Sequence, residues 1–293
     1  MICGFTGSQI FLLQLSPDGE IISIDFFGSP STAQFIFDAE YTPQGDIVFS
    51  WFGSNFQKIE KVSATMDPIW VYDVEYAFDL EVTDNGEVIA LKEPTFWKLD
   101  DLGQVVWETT LDFPEAETYY EIELGPNGET YFCGWLNNGQ GQIPIAGTVD
   151  ESGKASRINP QPIDSVFGTF IRLETMSDGI LLNSFSAGTG NFPTYTIKTD
   201  FNGNVIWATP QPLQMGLIDA AEDGGIYAAN IFGEEIIIQK LDANGNINLN
   251  LLQGNIYANN DQDCDQNEAT IYDFSNWTVS ATSPLDTFVT LTN

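Results

Sequence analysis

One turn recurs through most of this chain at intervals of 41 to 51 residues. It reads Thr42-Pro43-Gln44-Gly45, Thr83-Asp84-Asn85-Gly86, Gly125-Pro126-Asn127-Gly128, Met176-Ser177-Asp178-Gly179 and Glu222-Asp223-Gly224-Gly225. A second turn interleaves with it: Leu15-Ser16-Pro17-Asp18-Gly19, Leu99-Asp100-Asp101-Leu102-Gly103, Val149-Asp150-Glu151-Ser152-Gly153, Thr199-Asp200-Phe201-Asn202-Gly203 and Leu241-Asp242-Ala243-Asn244-Gly245. Thr65-Met66-Asp67-Pro68-Ile69-Trp70 reads as a degenerate copy of the second. Asp or Asn early in such a turn bonds its own backbone, and a late Gly takes positive φ without a steric penalty. Between the turns lie alternating apolar runs such as Asp46-Ile47-Val48-Phe49-Ser50-Trp51-Phe52, and no segment holds a helical apolar face.

Two hairpin turns in a unit of about 42 residues make four strands per unit, the period of a propeller blade. The sequence therefore predicts an all-β fold, a β-propeller of four-stranded blades. Five full units are drawn at 31–74, 75–114, 115–162, 163–212 and 213–254, with a partial unit at 1–30 that lacks its innermost strand. Six blades are expected if the C-terminal region supplies that strand, and seven if residues 255–293 build much of another blade. The expected organisation is propeller repeats over 1–254 and a C-terminal β segment over 255–293 that closes the ring or starts a following module. Alternating stretches such as Thr270-Ile271-Tyr272-Asp273-Phe274 and Thr287-Phe288-Val289-Thr290-Leu291 need a sheet to dock on.

The repeat resembles the blade of secreted bacterial β-propellers. The best copies are Asp223-Gly224-Gly225-Ile226-Tyr227-Ala228-Ala229 with Gln239-Lys240-Leu241-Asp242-Ala243-Asn244-Gly245-Asn246, and Tyr195-Thr196-Ile197-Lys198-Thr199-Asp200 with Gly203-Asn204-Val205-Ile206-Trp207. Such repeats are similar to those in surface proteins of Bacteroidota that carry gliding or type-9-secretion C-terminal domains. The resemblance covers about residues 1–254. It implies a secreted or cell-surface protein and assigns no activity.

Composition narrows the chemistry. The 293 residues hold 9 Lys+Arg against 42 Asp+Glu and no histidine, for a net charge of −33. Nucleic acid and anionic membrane surfaces would repel such a chain. Without histidine there is no Ser-His-Asp triad, no Cys-His pair and no HExxH zinc site. Only two arginines, Arg157 and Arg172, are present, too few for an arginine cluster around a carboxylate or phosphate. No apolar run is long enough to insert into a membrane. The start, MICGFTGSQIFLLQL, has no basic n-region, and the chain is expected to be a mature or excised segment of a longer protein or assembly. Low Lys with abundant Asp and Glu also resembles salt-adapted proteins. Cys3, Cys133 and Cys264 are too far apart for a metal motif, and Cys133 in Tyr131-Phe132-Cys133-Gly134-Trp135 is expected as a buried thiol.

Carboxylate chemistry, hard-metal binding or no catalysis remain. Asp261, Asp263 and Asp265 alternate, with Glu268 close behind, a set of hard oxygen ligands that suits Ca²⁺. The turn aspartates are expected to stabilise turns. Trp70, Trp107 and Trp207 share one repeat position and are expected to pack between blades; Trp51 and Trp135 are read as sharing another. Glu115, Glu117, Glu121 and Glu123 are read as a solvated blade edge. Asn276-Trp277-Thr278 fits an N-glycosylation sequon, and Asp164-Ser165-Val166 an O-glycosylation motif of Bacteroidota. The expected function is a non-enzymatic extracellular binding or scaffold module with a protein or glycan ligand. The alternatives are a carbohydrate-active propeller using carboxylates, and a subunit of a surface fibre or injection apparatus.

Overall fold

The computed structural model describes residues 2–6, 9–15, 21–27, 34–53, 56–74, 79–111, 116–137, 142–158, 169–185, 194–211, 217–221, 224–232, 235–255, 278–281 and 289–292. All the regular structure among them is β-strand. The chain divides into two compact units, Met1–Asn159 and Pro160–Asn293.

The first unit holds four antiparallel sheets, each a meander in chain order. Strands β1 (Ile2–Thr6), β2 (Gln9–Leu15) and β3 (Ile21–Phe27) form a three-stranded sheet. The next contains β4 (Gln34–Tyr41), β5 (Ile47–Gly53), β6 (Phe56–Val62) and β7 (Pro68–Asp73). It is followed by β8 (Asp79–Val82), β9 (Val88–Lys92), β10 (Thr95–Leu99) and β11 (Val105–Thr110). The last has β12 (Ala116–Leu124), β13 (Thr130–Asn137), β14 (Gln142–Val149) and β15 (Ala155–Ile158). The first strands β4, β8 and β12 pack side by side, so successive sheets share an inner edge.

The second unit repeats the pattern with β16 (Thr169–Met176), β17 (Gly179–Phe185), β18 (Thr194–Thr199) and β19 (Val205–Gln211). Its second sheet begins with β20 (Leu217–Ala220), β21 (Ile226–Phe232), β22 (Glu235–Leu241) and β23 (Ile247–Asn255). Beyond β23 it is extended by β24 (Thr278–Ala281) and β25 (Val289–Thr292), with β25 parallel to β23. The five drawn units thus coincide with five sheets, and the partial unit at the start with a three-stranded one. The described pairings of β24 and β25 are with each other and with β23; residues 256–277 and 282–288 lie outside the described residues.

Both turn classes close with one hydrogen-bond pattern. Gly45 N donates to Thr42 O at 2.9 Å and Thr42 N to Asp46 O at 2.8 Å, and the same pair recurs from Asp100, Asp150, Asp200 and Asp242. In the second class the aspartate Oδ1 accepts two further backbone N–H groups, as Asp200 does from Asn202 at 2.9 Å and Asn204 at 2.8 Å. The glycine takes φ near +80°, for example +83° at Gly203. Two details correct the sequence reading. In the Glu222-Asp223-Gly224-Gly225 turn the positive φ and the closing bond belong to Gly224, one residue earlier than the repeat alignment placed it. Met176 pairs with Gly179 across a two-residue connection, a different hairpin from its counterparts. The degenerate copy starts at Ser63, whose Oγ takes the aspartate's part, and Met66 holds the left-handed position at φ +67°.

Apolar residues of adjacent sheets fill the space between them. Val48 and Ile59 of one sheet pack with Leu80, Val88, Ala90, Trp97 and Leu99 of the next. Phe96, Tyr119 and Phe132 form an aromatic group across the following pair, with ring centroids 5.3 to 6.2 Å apart. Cys133 is fully buried and outside any disulfide.

Candidate functional site

Side chains alternate along a strand, so residues two apart leave the same face of a sheet. On β4 that places Asp38 and Glu40 together, on β8 Asp79 and Glu81, and on β12 Glu121 and Glu123. Register confirms that these are equivalent positions. Asp38, Asp79 and Glu121 pair with Ser50, Leu91 and Cys133, while Glu40, Glu81 and Glu123 pair with Val48, Ile89 and Tyr131. Because β4, β8 and β12 pack side by side, six carboxylates gather on neighbouring inner strands. In the second unit the same positions carry Arg172 and Glu174 on β16, and Leu217 and Asp219 on β20.

The upper tier bonds from sheet to sheet. Asp38 Oδ2 accepts the backbone N–H of Leu80 at 2.9 Å, and Asp79 Oδ2 accepts that of Ile122 at 2.6 Å. Asp38 Oδ1 also accepts from Ala39 N at 2.8 Å, and the Asp38 and Asp79 side chains are hydrogen-bonded to each other. Burial, and then the charge on Asp38, hold the Asp79 carboxyl well above the usual carboxylate range. In the lower tier burial and Asp38 push Glu40 up to about 7. Burial, followed by Glu123, Glu40, Asp79 and Asp38, pushes Glu81 up to about 10. Carboxylates crowded in a poorly solvated place cannot all ionise, so this group retains protons at neutral pH. Chemically it can share protons, donate hydrogen bonds as neutral acids and accept backbone N–H groups.

Glu121 and Glu123 therefore do not lie on a solvated blade edge. They are half-buried on the strand nearest the neighbouring sheet, where their charges act on Asp79 and Glu81. Glu115 lies outside the described residues. Beside the upper tier, Phe37 sits at an irregularity of β4, is 38% exposed, and stacks on Phe52 with centroids 5.1 Å apart.

Lysines occupy a second repeat position. The Lys61 ammonium, 3% exposed, bonds Asp101 in the next sheet's turn and lies 3.5 Å from Asp46. Lys98 reaches Glu87 at 2.7 Å and Lys198 reaches Asp178 at 2.8 Å. These cations are bound up in the sheets.

The shared tryptophan position has one environment, as expected. The indole N–H groups of Trp70, Trp107 and Trp207 donate to Asp101 O, Glu151 O and Ala243 O of the following sheet's turn at 3.0, 3.0 and 3.2 Å. Trp51 and Trp135 do not share a position: Trp51 pairs with Ile36 one step beyond Ser50, whereas Trp135 is two steps beyond Cys133, so the two face opposite ways. Asp261, Asp263, Asp265 and Glu268, both glycosylation motifs' modified residues Asn276 and Ser165, and Asp18 and Asp223 lie outside the described residues. Among the described residues, no three acidic or cysteine side chains are arranged to hold a metal ion.

No family model matches the sequence, and no curated protein matches it. Solved structures do. Virginiamycin B lyase from Staphylococcus aureus is similar at a TM-score of 0.60 and 15% identity, over 83% of this chain and 76% of that one. A streptogramin B lyase gives 0.59 and 18%, over 84% and 77%. The WD40 domain of Neurospora crassa Pan2 gives 0.54 and 14%, over 80% and 72%. With the repeated antiparallel sheets, these similarities define the fold as a β-propeller of four-stranded blades.

Proposed function

We propose that this propeller is a non-enzymatic binding or scaffold module of a bacterial secreted or cell-surface protein, with a protein or glycan as its ligand. One observation carries the reading: the upper-tier acids of β4 and β8 are spent on structure. Asp38 and Asp79 accept backbone N–H groups of the next blade. The repeat lysines pair with acids in and beside the turns. The resemblance of the blade motif to secreted Bacteroidota repeats supports the location, and the charge of −33 supports a neutral or basic partner.

The ring is taken as six blades, with residues of 255–293 other than β24 and β25, which extend the last sheet, completing the first. The calcium set Asp261, Asp263, Asp265 and Glu268 belongs to that same segment. Truncation after Gly254 is then expected to lower stability by roughly 2–5 kcal/mol or to prevent folding. A truncated chain that melts like the full one would show that the ring closes without it. Calorimetry with CaCl₂ tests the metal set, and an absence of heat and of a melting shift removes it.

A second reading, a carbohydrate-active enzyme, is favoured by the raised Glu40 and Glu81 carboxyls, since glycosidases pair a protonated acid with an ionised one. The lyases of similar fold do not extend it. One is described as catalytically inactive when a histidine is replaced by alanine, and this chain has no histidine. Arrays of glycans and of basic and neutral peptides test the binding reading. Saturable capture of one ligand class is expected, and uniform failure on both arrays would overturn it.

A further inference from the structure

The upper carboxylates form an unbroken chain across three blades. Ile122 N–H on β12 donates to Asp79 Oδ2, Asp79 bonds Asp38 on β4, and Asp38 Oδ2 accepts Leu80 N–H on β8. Two carboxylates can bond directly only when one of them is protonated. Asp38 already accepts two backbone N–H groups, which favour its charged form, so the proton belongs on Asp79. We propose that β4, β8 and β12 are held by a proton-dependent clasp, in which the Asp79 O–H donates to the Asp38 carboxylate, and that loss of this proton to alkaline solvent loosens the inner strands of the first unit.

Among the described residues of β4, β8 and β12, the charged groups around Asp79 are all acidic. β4 brings Asp38 and Glu40, β12 brings Glu121 and Glu123, and β8 itself adds Glu81. β5 carries no charged residue, and the lone cation of β9, Lys92, lies over the Trp97 ring, 5.9 Å from its centroid. Deprotonation therefore removes a donor and sets two negative charges side by side. Burial and the neighbouring carboxylates raise Asp79, Glu40 and Glu81, in agreement with this geometry.

The full chain is tested by amide hydrogen exchange at Leu80 and Ile122, corrected for the intrinsic pH dependence, between about pH 5 and pH 9. Protection is expected to fall about tenfold or more over that range. Asp79→Asn keeps a donor toward Asp38 and an acceptor for Ile122, and its protection is expected to be flat. A fall that is equal in wild type and variant, or no fall in wild type, overturns the clasp. If Asp79→Asn does not fold, the infrared band of protonated carboxyl groups in the wild type decides: it is expected at pH 7, and its absence overturns the proposal.

Discussion

Trp107 ties one blade to the next through two contacts of different kinds. Its indole N–H donates to Glu151 O, and its ring lies where a Cβ on Gly153 would come to 3.0 Å. Gly153 has φ +83°, so only glycine combines that backbone with a ring against it, and Thr109 Oγ1 completes the contact by donating to Gly153 O at 2.5 Å. Trp107→Phe retains most of the apolar area and loses the hydrogen bond, an expected cost of about 1 kcal/mol in urea unfolding. Gly153→Ala adds both a strained φ and a clash, and is expected to cost more, about 2 kcal/mol. Equal costs would mean that the ring is not seated on the glycine. This device was legible in the sequence because Trp107 and Trp207 keep one distance from an Asp-x-x-Gly turn, and Trp70 keeps the same distance from the degenerate copy that starts at Ser63. Trp51 and Trp135 share no such distance, and their opposite facing emerges only from the strand register.

At the scale of the element, turns and inner strands respond to pH in opposite directions. Side-chain hydrogen bonds from Ser152, Asn204 and Asn246 hold Asp150, Asp200 and Asp242 below the usual carboxylate range, so the stability they contribute is present at neutral pH and lost as pH falls through their folded values. Glu40 and Glu81 are raised, to about 7 and about 10, so the folded chain binds more protons than the unfolded one above about pH 4.5. The stability linked to them is full below that value and is lost as pH rises through the folded ones. Melting temperature is therefore expected to peak near pH 4–5 and decline toward pH 10. Glu81→Gln should flatten the decline and add at least about 1 kcal/mol at pH 8, whereas Glu108→Gln, on the exposed outer strand, should leave the slope almost unchanged. An identical slope in both variants would assign the decline to general surface charge. Turns were legible because their chemistry is local, held in four or five consecutive residues. The carboxylate tiers were not: with 42 acidic residues, pairs two apart arise by chance, and only the packing of β4, β8 and β12 separates Glu121 and Glu123 from that background.

For the whole molecule, a net charge of −33 sets a repulsive field that the buried Lys61, Lys98 and Lys198 pairs offset only locally. Screening shortens its range to about 10 Å at 0.1 M salt. The melting temperature at pH 8 is expected to rise between about 0.01 M and 0.5 M NaCl, and a flat curve would show that repulsion does not limit the fold. The repeat units and the sheets they form were readable from repeat spacing alone, because successive units rewrite the same two turns. The ligand was not, because function on a propeller resides in sites grafted onto the repeat and not in the repeat itself. The central claim is that the inner carboxylates hold blades together and perform no catalysis. Its most direct test is mass spectrometry of a captured glycan or peptide pool after prolonged incubation with the protein. The account predicts ligands returned with unchanged mass by both wild type and Glu81→Gln; shortened or unsaturated products from the wild type, absent with Glu81→Gln, would contradict it.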